Sequence, residues 1–465
     1  MSKFLSQYSC HFSKVVRTSL RKVESVSGIL KPDNRGGRRI ADDDAKKRES
    51  VKDHINRFPR VESHFCRSST SKEYLHSSLN LLKMYELYLK TEVNKQCIAS
   101  YTLYRRVFND MNLSFHHPKK DQCSLCVTYV TGDAAKKASL EVEYQKHIAE
   151  KNEVRAIKKS CKDSAIKNPS SVVSAVFDLQ QVIFLPITKE SAAFYKRKFS
   201  VFNFTVYELG SKACYCFTWN ESDSKRGSSE ITSCIYSFLR DQDNLKKQTV
   251  NLFADGCGGQ NKNSIMAAMF LYFLHEAKHV KEVSLRFFET NHGQNEGDSA
   301  HSAITSAIKR AGDLFVPSQL LPIFSLARKK SPYSVTKLEF NDFIAFKQLS
   351  KDLRILSCRD NEVNWTKIME LKVEKQSPKI IFFKNSHLDE HYLTLNLDKC
   401  NDKANTRAKI KAFQFPKTTQ KLNPTMRPLT NEKHSDLLAL CSGDHPVIRQ
   451  QDFSNFKFLI LVLLR

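Results

Sequence analysis

Thr249-Val250-Asn251-Leu252-Phe253-Ala254-Asp255-Gly256-Cys257-Gly258-Gly259-Gln260-Asn261-Lys262-Asn263 decides the fold. Its first six residues predict a buried strand, closed by an acid, and a glycine-rich turn follows. The apolar run 261–275 then predicts a helix. Strand, turn and helix in that order form the repeating unit of an α/β fold. Upstream, 172–177 is a β-rich run closed by Asp178. Between the two strands, 199–209 and 213–219 alternate in polarity around Gly210-Ser211-Lys212, which predicts a hairpin. Ser228-Ser229-Glu230 starts a helix that runs to about residue 240. Downstream, 283–289 predicts a strand and 299–310 a helix. The order β-β-β-α-β-α-β-α over 171–312 predicts a mixed α/β domain, assigned to 171–330.

Composition sets the partners. Hydrophobic residues make up 41% of the 465, enough to bury a core and exclude a fully disordered chain. Thirteen Gly and thirteen Pro exclude collagen-like and Pro-rich low-complexity classes. Lys and Arg number 74 against 49 acids, a formal charge of +25. Such an excess on a folded chain calls for a polyanion, with nucleic acid first and an anionic membrane surface second. No secretory signal is visible in 1–30 and no apolar run reaches the length of a membrane span; 458–464 is apolar but too short. Thirteen scattered cysteines, an odd number, fit a reducing compartment and a metal site better than a disulfide framework. The expected location is the nucleus and the expected partner is DNA, bound by an oligomer of the chain.

Residues 1–60 carry 15 Lys/Arg against 7 Asp/Glu and include Arg35-Gly36-Gly37-Arg38-Arg39, a basic flexible arm. Asp42-Asp43-Asp44 starts a helix that runs to about Asn56. Leu75, Leu79, Leu82, Tyr85 and Leu89 predict an amphipathic helix over 70–92. Ser100 caps another over 101–111 with Arg105 and Arg106 outward, so 61–122 is a mainly helical region and a candidate helix-turn-helix. Residues 123–170 hold a C-x2-C knuckle and a long polar helix over 133–164. Beyond the α/β domain, 331–397 reads as a small α+β region and 398–465 as a basic, weakly structured tail.

Three acids at strand and helix ends carry the chemistry. Asp178 and Asp255 close predicted strands and Asp298 stands just before a predicted helix, and if the strands end at one sheet edge with the helix passing over it, the three side chains converge. Carboxylates so placed can hold two divalent cations, Mg or Mn, for phosphoryl transfer. Glu296 is the rival third acid. The hairpin between the first two acids is what a ribonuclease H-like sheet requires. Gly258, Gly259, Gln260, Asn261 and Lys262 form a turn that could hold a phosphate, although it is not a Walker loop. His292 and His301 are candidates to orient water or a leaving group. Cys123 and Cys126 have zinc spacing; His147 and one of His116 or His117 would complete the set, with Cys97 and Cys161 as spares. His275-Glu276-Ala277-Lys278-His279 matches a zincin pattern at a frayed helix end and lacks a third ligand, so a solvated helix terminus explains it.

Phe177-Asp178-Leu179-Gln180, Ala193-Phe194-Tyr195-Lys196-Arg197, Trp219-Asn220-Glu221 with Arg226-Gly227-Ser228, the 255–263 turn and Gly297-Asp298-Ser299-Ala300-His301-Ser302 resemble a group of transposon-derived invertebrate proteins. Upstream pieces such as Ser63-His64-Phe65 and 118–123 extend the resemblance over about 35–400. It implies a ribonuclease H-like domain similar to DDE/D transposases, and two-metal DNA strand cleavage and transfer. Two positions depart from the family pattern. Asn291-His292-Gly293 stands where relatives carry Gly-His-Thr or Gly-His-Ser, and Thr305 follows Ile304 where relatives carry Glu. If that Glu is the third acid, the alternative is a catalytically inactive, domesticated DNA-binding or scaffold protein.

Overall fold

The computed structural model describes residues 42–60, 73–76, 78–91, 98–115, 123–290, 292–293, 295–353, 355, 363–398, 415–416 and 418–441. The arm at 35–39, His116, His117, Cys97 and the apolar run 458–464 lie outside them. The chain divides into two compact units, 1–120 and 121–465.

The first unit is α1 (Asp42–Asn56), β1 (Glu73–Leu75), α2 (Leu81–Thr91), α3 (Tyr101–Asp110) and β2 (Leu113–Phe115), with β1 parallel to β2. Val51, Ile55, Leu75, Met84, Tyr88, Tyr104, Val107 and Phe108 form its core. The buried His54 ring bonds the Tyr104 hydroxyl at 2.9 Å, which satisfies both polar groups. Ser100 caps α3 by accepting the Leu103 N–H. Arg105 and Arg106 are exposed, as the periodicity requires. The helix expected over 70–92 is shorter. Residues 73–75 pair as a strand, and Asn80 accepts the Lys83 N–H at 2.8 Å, so the helix starts at Leu81. The segment between α2 and α3, residues 92–100, is longer than the three- to four-residue turn of a helix-turn-helix.

The second unit is mixed α/β. It runs α4 (Ser124–Thr131), α5 (Ala134–Lys167), β3 (Val172–Leu179), β4 (Ile183–Leu185), β5 (Phe199–Glu208), β6 (Cys214–Asn220), α6 (Ser228–Asn244), β7 (Thr249–Ala254), α7 (Ser264–Glu276), β8 (Glu282–Phe287), α8 (Glu296–Ala311), α9 (Pro317–Ser325), β9 (Ser334–Lys337), α10 (Phe346–Asp352), β10 (Glu370–Glu374), β11 (Ile380–Lys384), β12 (Leu393–Asn396) and α11 (Asn431–Ala439). One sheet orders β12-β11-β10-β8-β7-β3-β5-β6-β9, with β4 on β5. β3, β7 and β8 are parallel, and β5 is antiparallel to β3. No helix among the described residues is long and apolar enough to cross a membrane.

Alternation along the central strands sorts residues onto two faces. Val173, Ala175 and Phe177 of β3, with Val250, Leu252 and Ala254 of β7, join the core built with α6, α7 and α10. Val176 and Phe253 point the other way, to Val154 of α5. Ala300, Ile304 and Ile308 of α8 pack with α9 and α11 beside β4 and β5.

Two expected divisions dissolve. The strands of 331–397 do not stand apart: β10 pairs with β8 and extends the sheet, and the buried Arg286–Glu370 ion pair, 2.7 Å, joins directly opposed residues of the two strands. In the region expected to be a weakly structured tail, α11 docks by Leu437, by Lys433 on Glu221 at 2.8 Å and by Asp436 on Arg197 at 2.8 Å.

Candidate functional site

β3 and β7 pair in parallel from Val172 opposite Thr249 to Val176 opposite Phe253. The same offset, one pleat on, sets Asp178 beside Asp255 at the carboxyl ends of adjacent strands. Adjacent strands lie about 4.8 Å apart, so both carboxyls share one face and one edge. α8 comes over that edge. Asn295 caps it, accepting the Gly297 N–H at 2.7 Å, and Asp298 returns the bond by accepting the Asn295 N–H at 2.8 Å, a reciprocal box. The helix therefore begins at Glu296, three residues earlier than periodicity suggested, and Asp298 lies in its first turn. A side chain at Gly297 would crowd the capping Asn295 Oδ1 at 2.8 Å while meeting the Asp178 Cβ at an ordinary 3.5 Å, so glycine here makes room for the cap.

Burial first, then the charges of Asp255 and Asp298, push the Asp178 carboxyl up to about 7, against the pull of the Leu179 N–H that it accepts at 2.8 Å. Asp255 is raised as well, by desolvation and by Asp298. Its residue surface is open to solvent, so water tempers that repulsion. Glu296, the rival acid, is engaged by the Lys158 ammonium of α5 and does not figure in either shift. His301 lies one helical turn past Asp298. Its Nε2 bonds the Thr205 hydroxyl at 3.0 Å and its Nδ1 lies 3.7 Å from Asp178. Burial lowers it to about 4, so the ring is neutral at ordinary pH.

The glycine-rich turn is more closed than its composition suggested. The Cys257 carbonyl accepts the N–H groups of Gln260, Asn261 and Lys262, and Asn261 Oδ1 accepts the Cys257 N–H. Asn263 caps α7 by accepting from Ile265 and Met266. These amides are satisfied within the turn rather than left open for a phosphate. Lys262 packs inward, 5.2 Å over the Phe287 ring, and burial lowers its pKa. Gly258 and Gly259 are exposed at the rim, with Gln260 half-buried beside them.

A second cluster joins the start of α4 and α5 to the segment between β8 and α8. Cys123, Cys126, His147 and His292 bring one ligand atom each to within 4.8 Å of one another. Cys123 precedes α4, Cys126 is on it, and His147 is on α5. His292, expected beside the acids, supplies the fourth corner; His117 lies outside the described residues. Cys123 Sγ is 3.4 Å from His147 Nε2, Cys126 Sγ is 3.4 Å from His292 Nε2, and the two Nε2 atoms are 2.9 Å apart. His147 Nδ1 faces Glu289 Oε1 at 3.0 Å. Burial and the neighbouring Cys123 push the Cys126 thiol up to about 11. Among the described residues this is the one group of three or more such side chains gathered so tightly; the three aspartates are more widely set. Cys161, a spare in the sequence reading, lies instead 3.8 Å from Arg286.

The segment from the end of β8 into the first turn of α8 serves both clusters. Phe288 donates to the Ala254 carbonyl at 3.0 Å, Glu289 holds His147, and His292 joins the thiols. Gly293 is pressed onto Asp255: a Cβ there would lie 1.5 Å from Asp255 Oδ1. Sequence reasoning missed Glu289, Lys158 and Thr205, and it noted Gly293 without its contact to Asp255. No local pattern marks them, because each acts on a residue distant along the chain. The zincin-like run dissolves: α7 ends at Glu276, which accepts from the Tyr236 and Tyr272 hydroxyls, and His279 falls beyond the helix.

A family model described as Domain of unknown function (DUF7869) matches residues 196–386. That span includes Asp255, His292, Gly293, Asp298 and His301, and leaves Asp178, Cys123, Cys126 and His147 outside it. No curated protein and no solved structure matches the chain.

Proposed function

We propose that the chain is a DDE/D transposase-like phosphoryl-transfer protein acting on DNA, with Asp178, Asp255 and Asp298 as its acids. The observation that carries this reading is the register of β3 and β7, which sets Asp178 beside Asp255 on the face that α8 crosses with Asp298. A ribonuclease H-like core is supported by the antiparallel hairpin β5–β6, which falls in sequence between the two acid strands while those strands lie adjacent in the sheet.

The three carboxyls fit divalent cations by their chemistry. They are hard oxygen donors, and burial and neighbouring carboxylate charge hold two of them above their ordinary pKa. Asp178, Asp255 and Asp298 would together hold the ions. Bound cations would neutralise a phosphate and activate a hydroxyl nucleophile. The remaining work falls to the chain. The Leu179 N–H fixes the Asp178 rotamer. The neutral His301, held by Thr205, adds no competing positive charge and can accept or relay a proton at the edge of the site. Gly293 keeps the loop low against Asp255. Exposed Arg105 and Arg106 supply phosphate contacts in the first unit.

The test is strand cleavage of duplex DNA by the full chain with Mn²⁺ or Mg²⁺. Asp178→Asn should abolish cutting and leave DNA binding intact. A second reading, a DNA-binding protein that does not cut, is favoured by Thr305. This residue receives the Gln180 amide at 3.3 Å where the resemblance implies Glu. Wild-type chain that binds DNA but nicks none under either metal would establish that second reading.

A further inference from the structure

We propose that Cys123, Cys126, His147 and His292 bind one zinc ion, and that this ion is the clamp that holds the segment between β8 and α8, through His292 and Gly293, against the acidic site. Two sulfurs and two imidazole nitrogens around one point are the donor set of a tetrahedral zinc centre. With Zn–S near 2.3 Å and Zn–N near 2.05 Å, a tetrahedron places S and N about 3.6 Å apart and the two nitrogens about 3.3 Å apart. The distances here are 3.4, 3.4 and 2.9 Å, so filling the centre requires shifts of only a few tenths of an ångström.

The partner outside the group has the right chemistry too. Glu289 Oε1 lies 3.0 Å from His147 Nδ1. A proton on Nδ1, donated to that carboxylate, leaves the Nε2 lone pair facing the thiols, the tautomer a metal needs. Binding is balanced by proton release: the two thiols enter as thiolates and lose two protons, while the imidazoles enter neutral.

Three of the four ligands come from the start of α4 and from α5, and the fourth from the far loop. The ion would therefore join α4 and α5 to the segment between β8 and α8. α5 holds that segment at a second point, where Lys158 engages Glu296. His147 and Lys158 are three helical turns apart, so one face of α5 grips both ends of the loop. Gly293 on Asp255 and Asn295 at the start of α8 lie between those grips. The zinc claim stands without the phosphoryl-transfer reading; only the link to the acids rests on it.

The experiment uses the full chain purified without metal, then dialysed with Zn²⁺. Elemental analysis should give about one zinc per chain. Co²⁺ should give the intense visible bands and the sulfur charge-transfer band of a tetrahedral thiolate site. His292→Ala should lose the stoichiometric metal, and His117→Ala should keep it. His292→Cys, which guards against misfolding, should keep it with added sulfur charge-transfer intensity. Glu289→Gln should weaken zinc about 10–100-fold. Amide exchange in 288–298 should quicken when zinc is removed by a chelator. Wild-type chain without zinc, zinc retained by His292→Ala, zinc lost from His117→Ala, or unchanged exchange in 288–298 would each overturn the clamp. A chain that holds zinc and orders the loop, yet gains no stability from Mn²⁺, would count against the acidic site and leave the clamp standing.

Discussion

Asp178→Asn in metal-free protein isolates what burial and crowding of the acids do to stability. The ordinary carboxylate value is 3.8, and the folded chain raises it to about 7. At about 1.4 kcal/mol per pH unit, that rise corresponds to a ceiling of roughly 4 kcal/mol. The side chain is 32% exposed, so solvent screening reduces the effect, to about 1–2 kcal/mol. The sign follows from proton counts. Between pH 4 and 7 the unfolded chain has lost the proton that the folded chain keeps, so stability falls as pH rises through that window. His301 runs the other way. Its folded value of about 4 lies below the ordinary 6.5, so stability is lost as pH falls from 6.5 towards 4. In wild type the two slopes offset each other between pH 4 and 6.5. Asparagine still accepts the Leu179 N–H and carries no charge. The variant should therefore be more stable than wild type by about 1–2 kcal/mol at pH 8, a Tm gain of about 2–4 °C for a unit this large. The gain should shrink towards zero by pH 4. Urea unfolding of metal-free wild type and variant from pH 4 to 8 measures it. A variant of equal or lower stability at pH 8, or a gain that does not vary with pH, would refute the claim that the fold holds this carboxylate under burial and like-charge strain.

Gly293→Ala places a methyl inside the Asp255 carboxyl, so the loop or the acid must move. It should cost about 1–3 kcal/mol and remove the Tm rise with Mn²⁺, read by thermal melts, while the zinc content is unchanged. Arg286→Leu removes the cation paired with Glu370, which is 4% exposed and keeps the Tyr392 hydroxyl as a donor, and should cost about 3–5 kcal/mol in urea; adding Glu370→Leu should restore most of it. Arg105→Ala with Arg106→Ala should weaken duplex binding at low salt and flatten the log–log salt dependence by about 0.9 for each phosphate no longer neutralised. An unchanged slope would remove these arginines from the interface.

Much of the second unit was legible because its signals are local. Thr249–Ala254 is a strand at both ends where the pattern put it, since five of its six residues are apolar or β-branched and an acid and a glycine-rich turn close it. The parity of Asp178 and Asp255 was also present in the sequence, because alternation alone puts both on one face once the strands pair. Helix starts were less legible. The helix with Asp298 begins at Glu296 because Asn295 caps it, and the helix over 81–91 is delayed by Asn80; in each case a polar side chain set the boundary rather than apolar periodicity. β9 and β12 were missed because both are four-residue edge strands, too short for alternation to show. The fourth corner of the Cys/His group could not be read at all. His292 is 166 positions from Cys126, and nothing near either residue encodes the other.

That separation also governs biosynthesis. Cys123, Cys126 and His147 are translated within 24 positions of one another, and the last partner arrives 166 positions after Cys126. At about 5–20 residues per second, roughly ten to thirty seconds pass between the two events. During that interval the emerging segment carries two reduced sulfurs and an imidazole without their closing member, and the strand that brings it, β8, has no template until β7 has been laid down. If the cluster binds zinc as proposed, the nascent chain is most open to oxidation and to wrong metals until residue 292 has been made and has emerged, and a ribosomal pause before that point would lengthen the exposure more than one long after it.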